Sequence, residues 1–208
     1  MTKIKVMDET LANKIAAGEV VEKCSSIVKE LVENSIDAHA KSIIINLEEG
    51  GKKLIEVIDD GDGMNEEDAL LAFQRHATSK IYKDDDLFFI DTLGFRGEAL
   101  PSIASVSKTN LRTSDGGVGT HIIIEGGKLL ENTPSDSRKG TSVKITNLFY
   151  NTPARLKYLK SDQSELASCV SFVERLALSH PEIAFNLNHG GSPVVKTSGS
   201  NDLLKTIH

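Results

Sequence analysis

Apolar positions recur at helical spacing in two long stretches of the chain. In the first, 11–38, the pattern breaks near Gly18; beyond it Ile27, Val28, Leu31, Val32 and Ile36 form one stripe, and Glu30, Glu33, Asn34 and Asp37 form the opposite face. Ser25 or Ser26 could cap the second of these helices. The other stretch is 162–179, where Leu166, Val170, Val173 and Ala177 predict an inner face. A shorter helix should open at Asn65, a good N-cap residue with Asp68 three places on, and run through Ala69, Leu70 and Phe73. Another is predicted from Glu98 to about Val106, and a last one begins over 201–207.

Between these lie β-rich runs at 42–47, 54–59, 110–114, 120–125, 128–132, 142–148, 184–188 and 193–197. Gly50-Gly51 marks a hairpin turn, and Gly116-Gly117 and Gly126-Gly127 mark further turns. Helices and strands are mixed rather than strictly alternating. That predicts an α+β sandwich, a mixed and largely antiparallel sheet with helices packed on one face. The stretch 75–97, with Thr78, Ser79, a run of aspartates at 84–86, Gly94 and Gly97, reads as a long irregular loop of the kind that is functional or disordered.

Composition narrows the function. Lys and Arg total 24 against 30 Asp and Glu, a net charge of −6. A chain built mainly to grip phosphate backbones carries a basic excess, so only local clusters such as Arg155, Lys157 and Lys160 suggest nucleic acid. Cys24 and Cys169 lie far apart and read as free thiols of a reducing cytosol. Neither a signal peptide nor a membrane-length apolar run is present, which predicts a soluble cytoplasmic protein with no membrane partner.

Four short patterns carry candidate chemistry. Glu30 and Asn34 stand one helical turn apart on one face, where a carboxylate could activate water and an amide oxygen could complete a magnesium shell; a solvated helix face would look the same. Asp59-Asp60-Gly61-Asp62-Gly63-Met64 ends a strand, and Asp59 there could accept from an exocyclic amine such as that of adenine. A plain turn is the competing reading, whereas the ligand spacing of a calcium loop is absent. Gly94-Phe95-Arg96-Gly97 leads straight into a helix, a setting suited to an anion, yet it matches neither a Walker loop nor a Rossmann fingerprint. Thr141, after Gly140, could reach a purine edge or could be an ordinary strand threonine.

In this order the four patterns together resemble the ATP-binding motifs of the GHKL superfamily, which includes gyrase-type topoisomerases, heat-shock chaperone ATPases, histidine kinases and MutL proteins. Longer words resemble the MutL family in particular: NKIAAGEVV at 13–21, VKELVENSIDA at 28–38, RHATSK at 75–80, GFRGEAL at 94–100 and NLFYNTPAR at 147–155. The likeness runs from about residue 4 to the chain end. It departs at Cys24-Ser25, where the family usually has Arg-Pro.

The resemblance implies a Bergerat-type ATPase domain over 1–208, with Glu30 as general base and Asn34 as the magnesium-binding residue. Asp59 would receive the adenine amine, with Thr141 assisting. The remaining nucleotide contacts would come from Asp37, Ala38, Gly61, Gly63, Met64, Thr78, Ser79 and the lid segment Leu93, Gly94, Phe95, Arg96, Gly97, Glu98, Ala99 and Leu100. It implies ATP and Mg²⁺ as cofactors, ATP-driven N-terminal homodimerisation in the intact protein, and a mismatch-recognition partner of MutS type. The family's second domain supplies a phosphate-contacting lysine and much of its DNA surface. An end at His208 without capping logic therefore reads as a truncation, and predicts weak hydrolysis and weak DNA binding. The competing functions are a gyrase-type ATPase and an ATP-binding switch with negligible hydrolysis. A histidine-kinase phosphotransferase would need an acceptor histidine upstream of the first helix, where there is none.

Overall fold

A computed structural model describes residues 5, 7–8, 15, 17–18, 20–78, 93–94, 97–136 and 138–202. Its helices are α1 (Cys24–Asp37), α2 (Glu66–Leu71), α3 (Ala99–Ser105), α4 (Pro153–Tyr158) and α5 (Asp162–Ser179). Its strands are β1 (Ser42–Glu48), β2 (Leu54–Asp59), β3 (Lys108–Ser114), β4 (Gly119–Glu125), β5 (Lys128–Ser135), β6 (Gly140–Thr146), β7 (Ala184–His189) and β8 (Ser192–Lys196). They form one sheet in the order β5-β4-β3-β6-β2-β1-β7-β8. Every neighbouring pair is antiparallel except β1 and β7, which run parallel. The fold is thus the expected mixed, largely antiparallel sheet with helices against one face.

Strand alternation sets which face is buried. Ile43, Ile45 and Leu47 of β1 pair with Asp59, Val57 and Ile55 of β2, and all six are buried. Over them lie Ile27, Val28, Leu31 and Val32 of α1, and Cys169, Val173, Leu176 and Ala177 of α5, in one continuous core. Each fully buried Ile, Leu, Val or Phe contributes roughly 1.5–3 kcal/mol. That seats α1, the helix carrying Glu30 and Asn34, firmly on the sheet. The inner face of α5 is rotated from the expected one: Glu165, Cys169, Val173, Leu176 and Ala177 are buried, whereas Leu166 and Val170 are only partly so.

Several local expectations are met. Asn65 caps α2, its Oδ1 accepting from the Asp68 N–H at 2.9 Å. Others shift. A 3-10 turn at Glu49–Gly51 replaces the tight hairpin turn at Gly50-Gly51. Strand β6 ends at Thr146 because Asn147 and Phe149 take positive φ (54° and 61°), dropping Leu148 and Phe149 into the core. Helix α4, with proline in its first turn, follows at once and was not expected from the sequence. The helical start at 201–207 lies mostly outside the described residues.

Neither Ser25 nor Ser26 caps α1, since both lie inside it. A residue from α5 does that work. The Cys24 N–H donates to Glu165 Oε2 and the Lys160 N–H donates to Glu165 Oε1, each at 3.1 Å. Glu165 is 2% exposed, so its charge is held by peptide donors and a helix N-terminus rather than by water. Replacing Glu165 with alanine leaves two amides without this acceptor and should destabilise the fold by about 3 kcal/mol. A denaturant midpoint indistinguishable from that of the parent chain would refute this cap. The two cysteines are free and buried, and desolvation is the main reason both thiols titrate high, Cys169 at about 12 and Cys24 higher still.

The basic cluster changes meaning. Arg155 lies over the Phe149 ring at 4.4 Å and donates to the Ala17 carbonyl at 3.3 Å and to the Val21 carbonyl. Its guanidinium anchors the segment leading into α1 instead of facing a phosphate backbone. Among the described residues no helix is long and apolar enough to cross a membrane.

Candidate functional site

Asp59 ends β2 on the buried face and is 7% exposed. Three donors converge on its carboxylate. Ser35 O–H donates to Oδ2 at 2.8 Å, while Gly61 N–H and Thr141 N–H donate to Oδ1 at 3.0 and 3.1 Å. Burial raises the pKa above the ordinary 3.8, and the Ser35, Gly61 and Thr141 donors oppose that rise. Oδ2 receives one of the three donors and keeps acceptor capacity for a ligand amine.

The loop after Asp59 fits closely under its neighbours. Gly63 has φ +69°, and a Cβ there would stand 1.8 Å from the Ser114 carbonyl oxygen. Gly140 has φ +117°, and its Cβ would stand 2.2 Å from the Asp59 carbonyl oxygen. Only glycine permits both approaches. Gly61 packs against Ala38, whose carbonyl accepts from the Asp62 N–H at 2.8 Å. The Met64 N–H donates to Thr113 Oγ1 at 2.9 Å, and Thr113 Oγ1 stands 3.0 Å from Thr141 Oγ1. Thr113 and Ser35 are the site residues that sequence reasoning missed. The only signal for Thr113 is a polar residue at an inward position of β3.

Helix α1 supplies the other side. Glu30 and Asn34 are half-buried one turn apart. Lys29 Nζ stands 3.3 Å from Glu30 Oε1 and 2.7 Å from Glu33 Oε2. Glu33, expected on the polar face, is 8% exposed; burial raises its pKa and Lys29 opposes the rise. At the end of α1, Asp37 accepts from the Leu93 N–H at 3.0 Å and the Gly94 N–H at 3.1 Å, tying that stretch of chain to the helix.

The two ends of the 75–97 stretch also meet. Gly97 packs on Ala77, where a Cβ would stand 2.4 Å from the carbonyl oxygen, and His76 Nδ1 lies 3.3 Å from Glu98 Oε1. Glu98 stands at the N-cap position of α3, whose first two residues are Ala99 and Leu100, and Thr78 follows Ala77. Ser79, Phe95, Arg96 and the aspartates at 84–86 lie outside the described residues. The structure therefore joins Asp59, Gly61, Gly63, Met64 and Thr141 in one cluster, and Ser35 links that cluster to α1, the helix bearing Glu30, Asn34 and Asp37.

Among the described residues no three His, Cys, Asp or Glu side chains are grouped to hold a metal by themselves. A cation beside Asn34 would take its remaining oxygens from its ligand, which suits magnesium with a phosphate chain. The Asp59 geometry also yields a pH prediction. The folded chain takes up the Asp59 proton at a pH where an ordinary aspartate of pKa 3.8 is still ionised. In that window protonation favours the folded state, and this contribution is lost as pH rises through the raised value. Site-resolved carboxyl titration by NMR should give Asp59 a midpoint above 3.8, and a midpoint at or below it would refute the desolvation account.

Comparison with known proteins agrees with this geometry. Residues 22–145 match the family model described as histidine kinase-, DNA gyrase B- and HSP90-like ATPase. The DNA mismatch repair protein MutL of Geobacillus kaustophilus is 57% identical over 204 residues, 98% of this chain and 32% of that protein. MutL of Bacillus anthracis is 55% identical over 208 residues, 100% of this chain and 33% of that protein. The chain thus spans about a third of the length of the curated relatives it matches. Among solved structures, the Aquifex aeolicus MutL ATPase domain complexed with ADP superposes with a TM-score of 0.71 at 31% identity, covering 90% of this chain and 68% of that one. The N-terminal domain of a DNA repair protein gives a TM-score of 0.79 at 27% identity, covering 94% and 59%. The chain belongs to the histidine kinase-, DNA gyrase B- and HSP90-like ATPase family, and within it is a MutL-type ATPase domain.

Proposed function

We propose that the chain binds ATP with Mg²⁺ and hydrolyses it, serving DNA mismatch repair in the cytoplasm. The observation that carries this reading is the buried Asp59 carboxylate, held by three donors and joined through Ser35 to the helix that bears Glu30 and Asn34. Asp59 Oδ2 accepts the adenine amine, and Thr141 with Thr113 lines the same end. Asn34 would hold magnesium through its amide oxygen, and the bound ion would supply positive charge to the phosphate oxygens. Glu30 takes the proton of a water as its oxygen bonds to the γ-phosphorus. The bond from that phosphorus to the β,γ-bridging oxygen breaks, and ADP leaves with the electron pair.

Asp37 ties Leu93 and Gly94 to α1 through their amides, and this supports a role of the 93–100 segment as a lid closing over the nucleotide. In the intact protein ATP would order that lid, drive N-terminal homodimerisation and signal from a MutS-type partner to downstream repair. DNA contact through this stretch alone is weak, in keeping with the charge of −6.

Calorimetry with and without magnesium tests the reading. Asn34→Ala should weaken ATP binding about tenfold in the presence of Mg²⁺ and leave Mg²⁺-free binding unchanged. An unaltered magnesium dependence would remove Asn34 from the metal site.

A further inference from the structure

A concave site lies along the N-terminal half of α1, and Asp59 is not among its lining residues. An open groove of about 550 Å³ separates this helix from α5. Its lining includes Lys23, Ser25 and Lys29 from the α1 side and Ser168, Ser171 and Arg175 from α5. Among the described residues no carboxylate lines it, in a chain whose net charge is −6. Ser25 is 7% exposed. Among the described residues Lys23 and Arg175 make no ion pair, and the Arg175 guanidinium donates to Ser171 Oγ at 3.0 Å. Cations and hydroxyl donors around an open concavity match the acceptor-only oxygens of phosphate.

Lys29 belongs to both the groove and the nucleotide site. The ammonium of this groove-lining residue stands 3.3 Å from Glu30 and 2.7 Å from Glu33. A phosphate in the groove competes with those two carboxylates for it. We propose that this groove binds a phosphate-bearing anion, and that filling it draws Lys29 off Glu30. The coupling, though not the binding, rests on Glu30 being the base of the ATPase.

The test is an NMR titration of the 208-residue chain with inorganic pyrophosphate and, separately, with a short oligothymidylate. The Ser25, Ser168 and Ser171 amides should shift saturably. A response to pyrophosphate identifies a free phosphate anion as the ligand. A response to the oligonucleotide alone identifies a nucleic-acid backbone. The double variant K23Q/R175Q should weaken that binding about tenfold or more, while ADP still shifts Gly61 and Thr141 as in the parent chain. Silence of the groove amides with both probes, or shifts that survive the double substitution, overturns the site. For the coupling, the Glu30 side-chain carboxyl resonance should move with groove filling in the parent chain and stay still in the double variant. Its failure to move while the groove amides respond overturns the coupling alone. A lack of ADP-induced shifts at Gly61 and Thr141 would count against the ATPase reading and leave the groove result standing.

Discussion

Replacing Glu30 with alanine should leave ATP bound and stop its turnover. The side chain is 27% exposed and touches the rest of the protein through an ion pair with Lys29 at 3.3 Å. Lys29 keeps its shorter partner Glu33 at 2.7 Å, so the fold loses little. The adenine end, built on Asp59 and Thr141, is untouched. General-base assistance accounts for about 10²–10⁴ in rate, and single-turnover phosphate release should fall by that factor. Calorimetric affinity for a non-hydrolysable analogue should stay within about threefold of the parent value, well under the tenfold that corresponds to one lost contact. Turnover that survives the substitution within an order of magnitude would hand the base role to another group.

Asp59→Asn should do the reverse, abolishing recognition while sparing the fold. The carboxamide can keep its oxygen at the Oδ1 position, facing the Gly61 and Thr141 amides. Its NH₂ then occupies the Oδ2 position, where Ser35 can rotate from donor to acceptor. A ligand amine now meets a donor instead of an acceptor. An unmade hydrogen bond of this buried kind costs about 1–3 kcal/mol, and donor facing donor takes the upper end or beyond, so ATP affinity should fall about a hundredfold or more. A nucleotide with a carbonyl at the same ring position should lose far less, and the preference between the two should invert. Equal losses for both nucleotides, with an unchanged melting temperature, would contradict the assignment of Oδ2 to the amine.

Much of this architecture could be read from local pattern. The alternation in β1 and β2, the stripe on α1 and the Asn65 cap each depend on neighbours within a few positions, and each is where the pattern put it. That Asp59, the glycines after it and Thr141 come together could be expected only from the joint order of the short patterns, since each pattern by itself has an ordinary reading. What escaped depends on partners remote in the chain. Ser35 and Thr113 look like ordinary helix and strand residues until Asp59 and Thr141 are brought beside them. Arg155 reads as a surface cation, yet Phe149 and the carbonyls of Ala17 and Val21 claim it. Helix α4 hides behind two residues in left-handed conformation that no β-propensity anticipates.

The tie between Cys24 and Glu165 spans 141 positions. Ribosomal synthesis delivers α1 and every proposed nucleotide contact, the last being Thr141, before it delivers that carboxylate. A nascent chain stalled soon after Thr141 would carry all the ATP-binding words and still lack the lock on the helix that uses them. Nucleotide capture during translation should therefore begin only after α5 has emerged and docked, a late event set by distant contacts rather than by the order of the motifs.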